Sequence, residues 1–154
     1  MQRVFHNADQ EVVPYDGSPL QWRVSAYLLI VRERKLLVIK NRTEKLFDIV
    51  GGGIEFGETI EEALQREAME EAGATIQLGE LLHAGVDWFY HRTKQQYYQT
   101  MQLFYLAALD GELLAPTEAD VDEVYWVDAS ELADFPMPTA VEKVIKMIRE
   151  KGVL

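Results

Sequence analysis

Residues 52–74 read GGIEFGETIEEALQREAMEEAGA, and the reading of this stretch governs the rest of the chain. Thr59 followed three residues later by Glu62 has the form of a capping box, in which each side chain satisfies a backbone N–H of the other at the start of a helix. Gly73 suits the left-handed residue that closes one. The spacing therefore predicts a helix over Ile60–Ala72. At about 100 degrees per residue, Ile60, Leu64, Glu67, Ala68 and Glu71 share one stripe, the placement of a core-facing side. Glu62, Gln65, Arg66 and Met69 fall on the opposite side, and Glu70 lies at the border, within i+3 reach of Glu67.

A solvated acidic helix, with Glu62 and Arg66 as an i to i+4 pair worth about 0.2–0.5 kcal/mol, accounts for Glu61 and Glu62. It does not account for Glu67, Glu70 and Glu71, because carboxylates crowded on or beside an apolar stripe repel one another and resist desolvation. A bound cation removes both objections. Oxygen ligands with no Cys or His beside them favour Mg2+, with Mn2+ next, over Zn2+. Gly51, Gly52 and Gly53 let the backbone approach a ligand closely or adopt positive φ; a tight turn with no ligand is the plainer alternative.

Gly52, Glu58, Arg66, Glu67, Glu70, Glu71 and Gly73 stand in the pattern G-x5-E-x7-R-E-x2-E-E-x-G. Seven fixed positions coincide by accident on the order of once in 10^8 windows at ordinary residue usage. The pattern resembles the Nudix box, by which Nudix hydrolases hold divalent metals against a diphosphate and cleave it with water. The resemblance implies an α-β-α sandwich, a mixed sheet flanked by helices in the α/β (α+β) class; the order of elements alone gives only that class. It also implies metal ligation by Glu67, Glu70, Glu71 and the Gly52 carbonyl, with Arg66 bracing a ligand and pairing with Glu58. One departure is Val50, where many members carry Pro.

A later acidic group completes the site in many members. Glu118, Asp120, Asp122 and Glu123 precede Tyr125-Trp126-Val127, and Glu123 is the residue selected from them. A solvated acidic loop is the alternative. The expected reaction is substitution at phosphorus of a nucleoside diphosphate linked to another moiety X, with water as nucleophile. Oxidised nucleoside triphosphates, dinucleoside polyphosphates and nucleotide sugars are the competing substrates. A silent Nudix-like nucleotide sensor is the alternative from another class.

At 154 residues with net charge −11 and no cysteine, one domain is expected, burying about 68–70% of its unfolded surface without staples. The absent thiols exclude disulfides and fit a reducing compartment. The acidic balance argues against nonspecific nucleic-acid binding. No apolar run reaches membrane-spanning length and no leader is visible at the N-terminus, so a cytoplasmic protein without membrane partners is the expectation.

Strands are expected over 22–31 and 35–40, with 47–50 leading into the glycines. Further strands are expected over 75–82, 86–90, 95–108 and 124–127, the middle ones pairing about a polar turn at 91–94. A helical turn at 130–135 and a helix over 139–151 follow, separated by Pro136 and Pro138. Residues 1–20 match nothing: an edge strand, an arm of a homodimer or a loose extension all fit. Trp88, Phe89, Tyr90, Tyr97 and Tyr98 cluster after the box; Trp88 and Tyr90 are the candidates for stacking on a base, although core filling suits aromatics in strands as well. Of the histidines, His91 is the candidate for meeting a phosphate, and His6 and His83 are read as incidental.

Overall fold

The structure, a computed structural model, describes residues 3–154. The elements run β1 (Phe5–His6), β2 (Val12–Val13), β3 (Gln21–Arg32), β4 (Lys35–Asn41), β5 (Phe47–Asp48), β6 (Val50–Gly53), α1 (Ile60–Ala72), β7 (Thr75–His91), β8 (Gln96–Asp110), β9 (Val121–Asp128) and α2 (Thr139–Glu150), with a 3-10 turn at Leu132–Asp134 before α2. The strands form one mixed sheet ordered β2-β1-β7-β8-β3-β4-β5, with β6 added to β3 and β9 to β4. Among the described residues no helix is long and apolar enough to cross a membrane.

The centre of the sheet is apolar on both faces because helices cover both. Along β3, Ala26, Leu28 and Ile30 pack with Leu64, Ala68 and Ala72 of α1, whereas Leu29 between them packs with Val141, Val144, Ile145 and Ile148 of α2. β4 divides the same way: Leu37 and Ile39 face α1, Leu36 and Val38 face α2. The period of two sorts each strand between two layers, and the α-β-α sandwich follows.

α1 occupies the predicted span. Thr59 accepts from the Glu62 N–H, Glu62 answers to the Thr59 N–H, and Gly73 takes the left-handed conformation with φ 59. Two expectations are corrected, and one of the alternatives left open for the N-terminal residues is selected. The glycines do not form a loop: Gly51, Gly52 and Gly53 belong to β6 and pair antiparallel with Tyr27, Ala26 and Ser25. The two short strands after α1 are one long strand, β7, whose register with β8 shifts on either side of Leu81; bulges of this kind bend a strand without ending it. Within the N-terminal twenty residues, β1 joins the sheet edge, running parallel to β7 with His6 opposite Phe89.

Candidate active site

A cleft of about 920 Å3 opens on the sheet between β6, the carboxylates of α1 and the β7–β8 hairpin. Gly51 and Gly52 lie at one side of it, with Glu67 and Glu71. Gly51 has φ 148, and a Cβ there would sit 2.6 Å from the Tyr27 Cα, so only glycine fits. Its N–H donates to the Glu71 carboxylate at 2.9 Å. At Gly52 a Cβ would meet the Glu67 Oε1 at 2.6 Å. The bare backbone of β6 therefore brings the carboxylates of α1 against the strand.

Arg66 organises the side chains behind this contact. Its Nε and a terminal nitrogen donate to the two oxygens of Glu58 at 2.6 and 3.0 Å. The other terminal nitrogen donates to Glu67 at 2.8 Å and to Glu70 at 3.3 Å, while the nitrogen that serves Glu58 also donates to the Gly53 carbonyl at 3.2 Å. The paired fork is the geometry in which guanidinium and carboxylate bind most firmly. The sequence pattern put Arg66 on the solvated side of α1; the structure turns it toward the site, because its reach lets it fold back along the helix to Glu58. Glu62 is committed to the cap rather than to Arg66.

The charges of this region separate into satisfied and unsatisfied groups. The Arg66 fork and the Glu55 N–H hold the Glu58 carboxyl down at about 2. Burial pushes Glu67 up against the opposing pull of Arg66. Glu71 is pushed well up by burial, then by Glu67, Asp48 and Glu118, with the Gly51 N–H as the one opposing hydrogen bond. Asp48 rises to about 7 for the same first reason, burial, with Glu44 adding to it. Burial also lifts Tyr27 to about 12, with Asp48 reinforcing it.

Half-buried carboxylates that raise one another's proton affinity fit a hard divalent cation, which compensates like charges that protein groups leave uncompensated. The donor set is oxygen only. Among the described residues no three carboxylate or imidazole groups already converge at metal-ligand spacing; Glu70 in particular turns to Arg66 and is not part of the cleft lining.

Three further positions differ from expectation. Glu123 falls within β9, exposed, opposite Lys40 and against the Tyr125 hydroxyl. Glu118 and Asp120 line the cleft instead: the Thr117 and Glu118 N–H groups donate to the Glu70 carbonyl at 2.8 Å, tying that loop to the end of α1. Trp88 and Tyr90 are absent from the cleft lining, because residues alternate across β7 and it is Asp87, Phe89 and His91 that face in. Trp88 sits under the Arg3 guanidinium and Tyr90 packs on Tyr97. All three histidines line the cleft. Arg23, Asp48 and Asp87, which no motif marked, line it too. Arg23 alone carried a visible signal, parity, since it lies two residues before Ser25 on the same face of β3.

The sequence profile described as the NUDIX domain matches residues 20–148. The NAD-capped RNA hydrolase NudC of Chromobacterium violaceum is 28% identical over 134 residues, covering 83% of this chain; the chain spans only 47% of that relative's length. The nucleoside triphosphatase NudI of Escherichia coli is 32% identical over 114 residues, covering 69% of this chain and 76% of the relative. Among solved structures, a MutT NUDIX hydrolase from Burkholderia pseudomallei superposes with a TM-score of 0.66 at 25% identity, covering 83% of this chain and 98% of that one.

Proposed function

Since the chain belongs to the NUDIX domain family, we propose that it is a divalent-metal-dependent hydrolase that splits the diphosphate linkage of a nucleoside diphosphate joined to another moiety X. The observation that carries this reading is the placement of Glu67 and Glu71, both half-buried beside the glycine strand, Glu71 bonded to the Gly51 N–H and Glu67 filling the space that a side chain at Gly52 would need. Glu67, Glu70 and Glu71, with the Gly52 carbonyl, are the groups that would hold Mg2+ or Mn2+. Such an ion neutralises a diphosphate and makes bound water more acidic.

The chain's own residues supply the rest. Arg66 fixes the Glu67 carboxylate through a hydrogen bond of 2.8 Å and is itself fixed by Glu58, so that the ligand does not have to be ordered at the moment of binding. Arg23 lines the cleft beside Gly53 and offers a permanent cation to a phosphate. Glu67, Glu71 and Glu118 are among the carboxylates lining the cleft and are candidates to take up the proton of the attacking water. The relatives' names, an NAD-capped RNA hydrolase and a nucleoside triphosphatase, share a nucleotide carrying a phosphoanhydride, and that common element is the proposed substrate class.

The test is a hydrolysis screen over nucleoside triphosphates, dinucleoside polyphosphates, ADP-ribose, NAD and nucleotide sugars, with products resolved, in Mg2+ and in excess EDTA. Cleavage at phosphorus that is abolished by chelation is expected. Full turnover in EDTA contradicts the metal dependence, and no cleavage of any phosphoanhydride contradicts the reading itself.

A further inference from the structure

One wall of the cleft is built by a segment outside the matched family region, which begins at residue 20. His6, Ala8 and Gln10 line it together with Phe89 and His91. Two latches hold this segment across the opening. Asp9, whose side chain is 1% exposed, receives the Lys45 N–H at 2.5 Å and the Arg92 guanidinium at 2.7 Å, so it joins the β4–β5 connection to the β7–β8 turn. Glu11 repeats the bridge with the side chains of Lys45 and Arg92.

The segment is also rigid in itself. The buried Asn7 side chain accepts from the Asp9 and Glu11 N–H groups at 2.9 and 3.1 Å and donates to the Glu11 carboxylate at 3.0 Å. Behind it Phe5, Tyr15 and Tyr97 pack with centroids 5.0 to 5.1 Å apart, and the Tyr97 hydroxyl donates to the Pro14 carbonyl at 2.7 Å. Burial raises the Asp9 carboxyl, yet the hydrogen bonds from Lys45 and Arg92 outweigh it and the net shift is downward. Asp9 therefore stays charged, and the latch closed, across neutral pH.

β6, beside the carboxylates, and β1, which leads into the strap, are separated in the sheet by β3, β8 and β7, and the cleft of about 920 Å3 has room for more than a diphosphate. The strap end offers a flat apolar ring, Phe89, beside an imidazole and an amide. Arg92 and Lys45 are already paired with Asp9 and Glu11, and Lys94 and Arg23 are the lining cations whose charges reach His91. An amide and an imidazole beside an aromatic face match the hydrogen-bonding edge and π-face of a nucleobase.

We propose that residues 6–10 form the nucleobase-recognition wall of the cleft: the base stacks on Phe89 and is read at its edge by the His6 imidazole and the Gln10 amide, with Asp9 as the positioning residue. This rests on the reading of the cleft as a nucleoside diphosphate site. It places specificity in a segment that the family region does not include.

The experiment is calorimetric binding of ADP, GDP, CDP and UDP against inorganic pyrophosphate, all with Mg2+, to the wild type, His6→Ala and Gln10→Gly. Glycine is chosen because Gln10 has φ 61, which alanine would strain. The wild type should bind at least one nucleoside diphosphate about tenfold more tightly than pyrophosphate. Each variant should lose about tenfold in that affinity while pyrophosphate binding moves less than twofold. Asp9→Asn, if it folds, should reproduce the pattern. A wild type that gains nothing from the nucleoside, variants that keep the gain, or an equal loss of pyrophosphate overturns the proposal. Turnover on the same proteins separates the two readings: nucleoside-dependent affinity lost at the strap in a protein that hydrolyses nothing defeats the hydrolase, whereas intact hydrolysis with unaltered base preference defeats the strap.

Discussion

The two helices are nearly equal in length, 13 residues in α1 and 12 in α2, and they meet opposite faces of the same sheet with different chemistry. α2 buries four branched side chains, Val141, Val144, Ile145 and Ile148. α1 buries Leu64 and three alanines, Ala63, Ala68 and Ala72, and on the same stripe it carries Glu67 and Glu71. α1 compensates with a complete capping box, a left-handed closing glycine and the Arg66 network, whereas α2 starts after Pro138 without a side-chain cap. The contrast teaches that α2 is placed by apolar burial, and α1 is placed by its ends and by charge, leaving its packed face free to hold carboxylates for chemistry.

The widest separation between the helices should come from one substitution in each. Glu71→Gln is expected to lower turnover by about 10^2 to 10^4, the range for losing an acid or base group, with folding retained. Ile148→Ala, which empties a fully buried position, should cost about 2–5 kcal/mol in denaturant unfolding and leave the turnover of the folded fraction intact. Reversed outcomes would erase the distinction.

Arg66→Ala comes next. Removal of a group that holds a ligand typically costs 10- to 100-fold in activity or metal affinity, and the loss in turnover should exceed the loss in thermal stability. A sharp fall in melting temperature with unaltered turnover would make Arg66 structural only.

A third effect is pH dependence. Asp48, Glu67 and Glu71 have folded values above their unfolded ones, so the folded state binds protons more tightly than the unfolded chain; the resulting stability is present in acid and is lost as pH rises through about 7 for Asp48. Metal-free protein should therefore melt roughly 5 °C lower at pH 8.5 than at pH 5.5. The slope should shrink in Mg2+. A flat profile in EDTA would show that these carboxylates are solvated.

The smallest effect is the control. Glu61→Gln, on the exposed side of α1, should change neither turnover nor melting temperature. Glu62 is unsuited to this role because it closes the capping box.

How much of this was legible in the chain depends on whether the signal is local. The cap, the closing glycine and the stripe of α1 are set by residues within one segment, and they were read to the residue. The sandwich followed from the box through resemblance. Glu123 falls outside the cleft lining because the start of β9 depends on pairing with β4: once Val121 opens that strand, Glu123 belongs to an exposed register position and the loop residue Glu118 to the cleft. Trp88 and Tyr90 fall outside the cleft lining because strand parity decides which aromatics face in, and bulges around Leu81 reset that parity in a way no alternation pattern announces. Asp9 and Asp48 gave no signal at all, since their environment is assembled from segments 36 or more residues apart in one case and from burial alone in the other.

The claim that Glu71 is held at the apolar stripe for a cation is tested most directly by thermal unfolding of the wild type and Glu71→Gln at pH 8, in EDTA and across a Mg2+ titration. In EDTA the variant should melt at the same temperature as the wild type or higher, because one buried like charge is gone, and Mg2+ should then raise the wild type clearly more than the variant. A variant that is less stable in EDTA and responds to Mg2+ as the wild type does would contradict the account.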